Sequence, residues 1–325
     1  MKILLIRPEM IGDIILLTPV ISALKTKFPE ARITLLLRPG MEGVIKNNPE
    51  VAGFILLENY WSLLKKIKAE KFDLALVLED NPRPQWAYLI LLAGIPKRIG
   101  DKSRLLYGWI YNWGVWLNSA DPSLHHVELF LKLLEPLGIT NQHPPLKLNP
   151  DPEAEKKMEK LVPANAIGIH IGTGGGNRAL LPETYAWIAN GFDRPVVLLG
   201  GPAEVETLKC IKNYLKVPVI DLVNKLSLQE LFSAVKRLAL FIGVDSGPLH
   251  AAAAFKVPIV VIYTAKDVNP NRWLPWQTEY RAIVSPPGAC QISCSHRDCS
   301  KVYCLEAIDP QKIIEAAEEL LKCPK

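Results

Sequence analysis

Leu238–Ala239–Leu240–Phe241–Ile242–Gly243–Val244–Asp245–Ser246–Gly247–Pro248–Leu249–His250 is the stretch that decides the fold. Residues 238–242 form a short apolar run and read as a buried strand. Four alanines, 251–254, follow, and alanine is the strongest helix former. The turn between them holds an acid, a hydroxyl, a glycine and a proline. Proline suits the first turn of a helix, where the N–H it lacks would have no partner. Gly247 lets a ligand approach the backbone closely. Strand, turn and helix in that order make a parallel α/β unit. Two readings of the turn stand side by side. The free amides and positive dipole end of the helix form an anion site suited to a diphosphate. Alternatively, Asp245 or Ser246 is an ordinary N-cap.

The same alternation runs outward from this unit. In the first half the pattern predicts strands at 3–6, 33–37, 54–57, 74–78 and 98–100, and helices at 14–28, 86–93 and 127–137. Pro144, Pro145, Pro150 and Pro152 then cluster before a charged helix at 153–161, which marks a domain boundary. A second alternation follows, with strands at 167–171, 196–199, 217–220, 238–242 and 259–263. Its helices fall at 183–190, 204–215 and 228–236, and a last one at 310–322. Two successive parallel sheets predict two Rossmann-like domains, 1–150 and 151–325, with a cleft between them. Ligands in such sheets bind beyond the carboxyl ends of the strands. The informative segments are therefore 7–13, 79–84, 172–178, 200–204 and 243–250.

Composition sets the outer limits. A chain of 325 residues has room for two domains. Residues 1–150 carry 18 basic against 14 acidic side chains, and residues 151–325 carry 20 against 19. The excess lies in the first half, which suits an anionic partner there. Without a dense basic run it does not indicate nucleic acid. No segment supplies the roughly 20 uninterrupted apolar residues of a membrane span. The N-terminus enters a strand directly and shows no signal peptide. A cytoplasmic location with reduced cysteines is expected.

Three segments can carry chemistry. Arg7–Pro8–Glu9–Met10–Ile11–Gly12–Asp13 lies at the first strand-to-helix junction. Asp13 either N-caps that helix or faces the cleft as a general base. A carboxylate at a helix N-terminus is a weak base, adequate where bond breaking runs ahead of proton transfer. Gly172–Thr173–Gly174 begins like a dinucleotide fingerprint, but residue 177 is Asn and the strand at 196–199 ends in Gly200 rather than an acid. That disfavours a dehydrogenase. This glycine turn, with Arg178 beside it, either holds phosphate or is a plain turn. Glu204, in Gly200–Gly201–Pro202–Ala203–Glu204, either accepts from ribose hydroxyls or complements the helix dipole. Asp-x-Asp, His-Glu-x-x-His and Gly-x-Ser-x-Gly are all absent.

Two further features stay open. Cys290, Cys294, Cys299 and Cys304, with His296 among them, lack the paired Cys-x2-Cys spacing of zinc knuckles. They read as structural cysteines, a metal site or a disulfide. Residues 105–117 contain Tyr107, Trp109, Tyr111, Trp113 and Trp116, just after Arg98, Lys102 and Arg104. They read as an aromatic core segment, or as a membrane interface whose basic residues meet anionic lipid heads.

In order and spacing these motifs resemble glycosyltransferase family 9, the heptosyltransferases of the lipopolysaccharide inner core. The likeness is carried by residues 2–20, by Leu198–Leu199–Gly200–Gly201–Pro202–Ala203–Glu204, by 245–253 and by Arg272–Trp273–Leu274–Pro275–Trp276. The resemblance implies an α/β GT-B fold, with two Rossmann-like domains whose parallel sheets face a central cleft. The acceptor domain comes first, the nucleotide-sugar domain second, and the last helix can pack back on the first. It implies inverting transfer from ADP-heptose with no cofactor and no bound metal. Asp13 matches the catalytic base. Thr173, Arg178, Glu204, Asp245, Ser246, Gly247 and His250 fall on the donor side. Arg83, Arg98 and Arg104 are assigned to a lipid A/Kdo-type anionic acceptor, with peripheral contact at the inner membrane face. Where the family has Lys-x-Trp-Pro, this chain has Ala179–Leu180–Leu181–Pro182, and where it has Phe-Gly this chain has Tyr263–Thr264. Open alternatives are another nucleotide-sugar donor, an epimerase, or a non-catalytic sugar-nucleotide-binding protein.

Overall fold

The structure is a computed structural model that describes residues 1–79, 83–117, 121, 123–140, 142–173, 179–263, 270–286, 289 and 303–322. It forms two compact units, Met1–Asn149 and Pro150–Lys325.

The first unit runs β1 (Lys2–Ile6), α1 (Ile11–Lys27), β2 (Arg32–Leu37), β3 (Gly53–Leu56), α2 (Tyr60–Glu70), β4 (Leu74–Val77), α3 (Pro84–Leu92), β5 (Lys97–Ile99) and α4 (His126–Lys132). Its strands pair in the order β3-β2-β1-β4-β5, all parallel. Central strands of such a sheet are covered on both faces, which is why β1 and β4 are continuous apolar runs. Residues 14–24 of α1 are buried all round, and α4 packs beside this helix. Pro19 sits inside α1 without ending it. The N–H it lacks would have met the Ile15 carbonyl, and the Thr18 hydroxyl donates there instead at 2.7 Å.

The structure departs from the sequence pattern in several places. The helix expected at 127–137 is two pieces, α4 and a 3-10 turn at Glu135–Leu137. Pro136 has no N–H to continue the α-helix, and Gly138 ends the turn at φ 69°. The pattern also passes over α2, which is Lys-rich and buries only Leu63 and Ile67. The strand at Tyr280–Val284 is likewise unexpected, and none of its residues is fully buried.

The second unit runs α5 (Pro152–Leu161), β6 (Ile167–His170), α6 (Pro182–Asn190), β7 (Val196–Leu199), α7 (Val205–Lys212), β8 (Val219–Asp221), α8 (Leu228–Arg237), β9 (Leu240–Val244), α9 (Gly247–Ala254), β10 (Ile259–Tyr263), α10 (Pro270–Trp273), β11 (Tyr280–Val284), α11 (Tyr303–Glu306) and α12 (Pro310–Lys322). The strand order is β11-β10-β9-β6-β7-β8, again all parallel. The last helix, α12, belongs to the second unit. Ile313, Ile314, Ala317 and Leu320 of α12 are buried in the core of the second unit against α6 and the β9–β11 side of the sheet. A small residue makes this possible: a Cβ on Gly191 would lie 2.4 Å from Ile314 Cδ1.

Candidate active site

In the first unit the site begins where β1 ends. Arg7 is the first residue past the strand, and its side chain is only 3% exposed. A buried guanidinium needs partners, and it has several. Nη1 donates to the Leu78 carbonyl at 2.9 Å, and Nη2 donates to Asp13 Oδ1 at 2.5 Å. Nη2 also lies 2.9 Å from His126 Nε2, and the guanidinium carbon stands 4.8 Å from the centroid of the Phe130 ring. Asp13 is not the N-cap of α1. That place belongs to Met10, and Asp13 is the third helical residue. Its Oδ2 accepts the Met10 N–H at 3.1 Å, so the carboxylate still serves the helix start by reaching back. One oxygen is thus fixed by Arg7 and the other by the backbone, while the side chain keeps 19% exposure. This is a carboxylate held at the carboxyl end of the central strand and still open to a substrate.

Beside it lies a pocket of about 260 Å³ lined by Pro8, Arg38, Tyr60, Arg83 and Trp86 among others. Arg83 pairs with Glu9 and, at 2.8 Å, with Glu79, and its guanidinium stands over the Trp86 ring. The Glu79 hydrogen bond, countered by partial burial, holds its ionised form above the ordinary arginine range. Arg38 donates to the Pro8 carbonyl at 2.6 Å and lies 3.5 Å from Glu9. Both arginines keep more than two-fifths of their side chains exposed. The other two predicted acceptor residues are placed differently. Arg98 donates to the carbonyls of Ile110 at 2.8 Å and Ile95 at 2.6 Å, and so braces the chain. Arg104 pairs with the buried Asp101 at 3.1 Å and is half-buried.

In the second unit three strand ends converge. β6 ends at His170, β7 leads through Gly200 to Glu204, and β9 leads through Asp245 to Ser246. Ser246 Oγ is 3.3 Å from His170 Nδ1. A Cβ on Gly172 would lie 3.0 Å from the His170 ring and 3.1 Å from the Glu204 carboxyl carbon. Glycine here is what lets those two side chains come together. Burial pushes the His170 imidazole down to about 4, against a backbone hydrogen bond with Gly172 that favours the charged form. Neutral at pH 7, the ring is a hydrogen-bonding partner for Ser246 rather than a charge. Glu204 turns back to accept the Gly201 N–H at 2.7 Å, which is the helix-start role considered for it. Thr173 is buried beside this cluster's strand end.

The opening stretch of sequence is now placed. β9 extends through Gly243 and Val244, two residues beyond the apolar run. Ser246 is the N-cap of α9, with an extended backbone and no side-chain cap bond. Pro248 has no N–H and the Leu249 N–H donates to the Ser246 carbonyl at 3.2 Å, so in the first turn it is the Gly247 amide that the Ser246 side chain leaves uncovered. Asp245 lies 3.5 Å from His250 Nε2, and the His250 ring sits 6.5 Å from the Trp273 ring. Tyr263 donates to the Trp273 carbonyl at 3.2 Å. Thus His170, Glu204, Ser246 and Gly247 come together, and Asp245 and His250 form an adjoining pair. Arg178 and the glycines 174–176 lie outside the described residues, as do Cys290, Cys294, His296 and Cys299. Cys304 is half-buried. Among the described residues no group of three His, Cys, Asp or Glu side chains could hold a metal.

Sequence reasoning missed Arg7, Arg38, His126 and His170. Arg7 and His170 did carry a signal, since each is a polar residue terminating an apolar strand. His126 carried none, being 119 residues from its partner.

The sequence profile of glycosyltransferase family 9 (heptosyltransferase) matches residues 60–303. The chain belongs to this family. Lipopolysaccharide heptosyltransferase 3 of Escherichia coli K12 is 31% identical to it, over 95% of each chain. Among solved structures, the family 9 glycosyltransferase from Veillonella parvula DSM 2008 superposes with a TM-score of 0.82 at 23% identity, covering 98% of this chain and 97% of that one. E. coli ADP-heptose lps heptosyltransferase II gives a TM-score of 0.81 at 22% identity, covering 99% and 98%. These structures share the GT-B fold with the family 9 enzyme described here, and membership makes it a glycosyltransferase.

Proposed function

We propose that this enzyme transfers heptose from ADP-heptose to a hydroxyl of the lipopolysaccharide core, with inversion and without a metal. The observation that carries this is the Asp13 carboxylate, fixed on both oxygens at the end of β1 yet open to a substrate. Asp13 accepts the proton of the attacking acceptor hydroxyl. The acceptor oxygen bonds to the anomeric carbon as the carbon–oxygen bond to the diphosphate breaks, and ADP leaves with the electron pair. The Gly247 amide that opens α9 stabilises the charge that grows on the leaving diphosphate. Ser246, Asp245 and His250 border that position, and Arg178 contributes the cation that the family's lysine supplies. A carboxylate in this role suits a transition state in which the sugar is already cationic. The acceptor is a lipid-anchored, Kdo-bearing anion at the cytoplasmic side of the membrane. Arg38 and Arg83, exposed at their pocket, meet its negative groups.

The test is incubation with ADP-heptose and core-truncated lipopolysaccharide in the presence of EDTA, followed by mass measurement. A product heavier by one heptose is expected. Product with UDP- or GDP-sugars but not with ADP-heptose overturns the donor assignment. Donor binding without transfer or hydrolysis points instead to a binding protein.

A further inference from the structure

The segment from Lys97 to Leu117 is built so that its tyrosines go in while Leu105, Leu106 and its tryptophans go out. Tyr107, Ile110 and Tyr111 are buried in the first unit's core, with the two tyrosine rings edge to face at 6.5 Å. Two glycines allow this closeness. A Cβ on Gly100 would lie 2.5 Å from the Tyr111 ring, and one on Gly108 would lie 2.4 Å from the Lys102 carbonyl oxygen. The base of the loop is fastened as well. Asp101 bridges to Val115, Lys102 N–H donates to the Val115 carbonyl at 2.8 Å, and Val115 N–H donates to Gly100 at 3.0 Å. The buried Asp101 carboxylate collects Ser103 N–H at 2.9 Å, the Ser103 hydroxyl at 2.8 Å and Arg104 Nε at 3.1 Å.

On the outside of this fastened loop, Leu105 is 96% exposed, Leu106 82%, Trp109 66% and Trp116 74%. Trp109 and Leu106 are adjacent, since the indole N–H donates to the Leu106 carbonyl at 3.3 Å. Two neighbouring leucines left almost wholly in water are unfavourable in a soluble state and mark a surface that meets something apolar. The charge around them is one-sided. Along this segment Lys97, Arg98, Lys102 and Arg104 stand against a single acid, Asp101; Arg104 pairs with it and Arg98 is turned inward, so Lys97 and Lys102 carry the positive charge at the surface. The Lys97 ammonium stands 4.4 Å over the Trp113 ring. Leucines that insert, tryptophans that sit at the boundary, and cations that meet anionic head groups are the three parts of an interfacial membrane anchor. A protein partner would satisfy the leucines but not call for this cationic border.

We propose that the loop around Leu105, Leu106, Trp109 and Trp116 docks the enzyme on an anionic lipid bilayer. It deepens the proposed function, because a lipid-anchored acceptor is presented at such a surface.

The test uses the full chain and vesicles of phosphatidylethanolamine and phosphatidylglycerol, with neither acceptor nor donor present. Failure of docking is thus separable from failure of transfer. Wild-type protein is expected to co-sediment with these vesicles, more weakly with neutral phosphatidylcholine and more weakly at high salt. The double variant L105D/L106D removes both insertions at exposed positions. It is expected to fold with unchanged circular dichroism and to lose vesicle partition on the order of tenfold or more. Brominated lipids should quench wild-type fluorescence, and Trp109→Phe should lose much of that quenching. Trp187→Ala, an exposed tryptophan of the second unit, should bind as wild type does. Equal sedimentation of wild type and L105D/L106D overturns the proposal. So does a dimer that L105D/L106D disperses in light scattering, since the leucines then cover a second copy.

Discussion

Replacing Asp13 by Asn separates the chemistry of this carboxylate from its structural duty. Asp13 uses both oxygens, one toward Arg7 at 2.5 Å and one toward the Met10 N–H at 3.1 Å. Asparagine offers a single acceptor oxygen, so one of these bonds is lost and the other ceases to be charge-assisted. Arg7 keeps the Leu78 carbonyl, the His126 contact and the Phe130 ring, and so does not become an isolated buried cation. Hydrogen bonds to charged groups contribute roughly 1.5–3 kcal/mol. Because Asp13 is partly exposed, the lower end of that range applies, and we expect a loss of about 1–2 kcal/mol. For a domain of this size that lowers Tm by a few degrees, about 2–4 °C per kcal/mol. The chemical loss is larger, since removing a general base lowers the rate roughly 10²–10⁴-fold. ADP binding should not change, because the residues proposed for it lie in the second unit. The assay measures ADP release and product mass beside thermal unfolding and ADP-induced stabilisation. Turnover by Asp13→Asn within about tenfold of the parent refutes the assignment of the base.

Other consequences follow from the same geometry. His170 is neutral in the folded protein, with burial holding it near 4 rather than 6.5. The unfolded chain therefore binds the extra proton first. The stability tied to this neutral ring is complete above about pH 6.5 and is lost as pH falls toward 4, a change of about 3 kcal/mol. Urea unfolding of wild type and His170→Asn across this range should show a flatter profile in the variant, and identical slopes contradict the argument. Tyr111 buries a hydroxyl with no hydrogen-bond partner among the described residues. Tyr111→Phe should raise stability by about 1 kcal/mol in denaturant titration. Gly172→Ala should push His170 and Glu204 apart and weaken ADP-induced thermal stabilisation while the fold persists. Normal ADP binding by that variant removes this cluster from the donor site. Thr18→Val leaves the Ile15 carbonyl beside Pro19 without its donor, and should cost about 1–3 kcal/mol of stability.

The two parallel sheets were legible because the period of burial is written locally. Continuous apolar runs such as those of β1 and β9, each followed by a helix, give the architecture without any knowledge of contacts. The strand-to-helix junctions carrying Asp13, Glu204 and Ser246 could be located the same way, since ligand sites gather at strand ends. Elements with little to bury escaped. α2 hides only Leu63 and Ile67 under a row of lysines, and β11 is an edge strand.

The opening stretch, 238–250, was enough to specify a strand, a turn and a helix with free amides at its start. It did not say that the Leu249 N–H would be taken by the Ser246 carbonyl, or that Ser246 would face His170, 76 residues away in the chain. Nor could 7–13 say that Asp13 would be clamped by an arginine resting on His126. The exposed aromatic loop shows the same division. Composition marked it as apolar and basic, but only its packing decided that Tyr107 and Tyr111 enter the core while Leu105 and Trp109 stay outside. Periodicity is a property of neighbours along the chain, so the sequence determined the elements and their order. Which side chains become partners depends on sheet order and helix packing, which join residues far apart in sequence, and that only the tertiary structure decided.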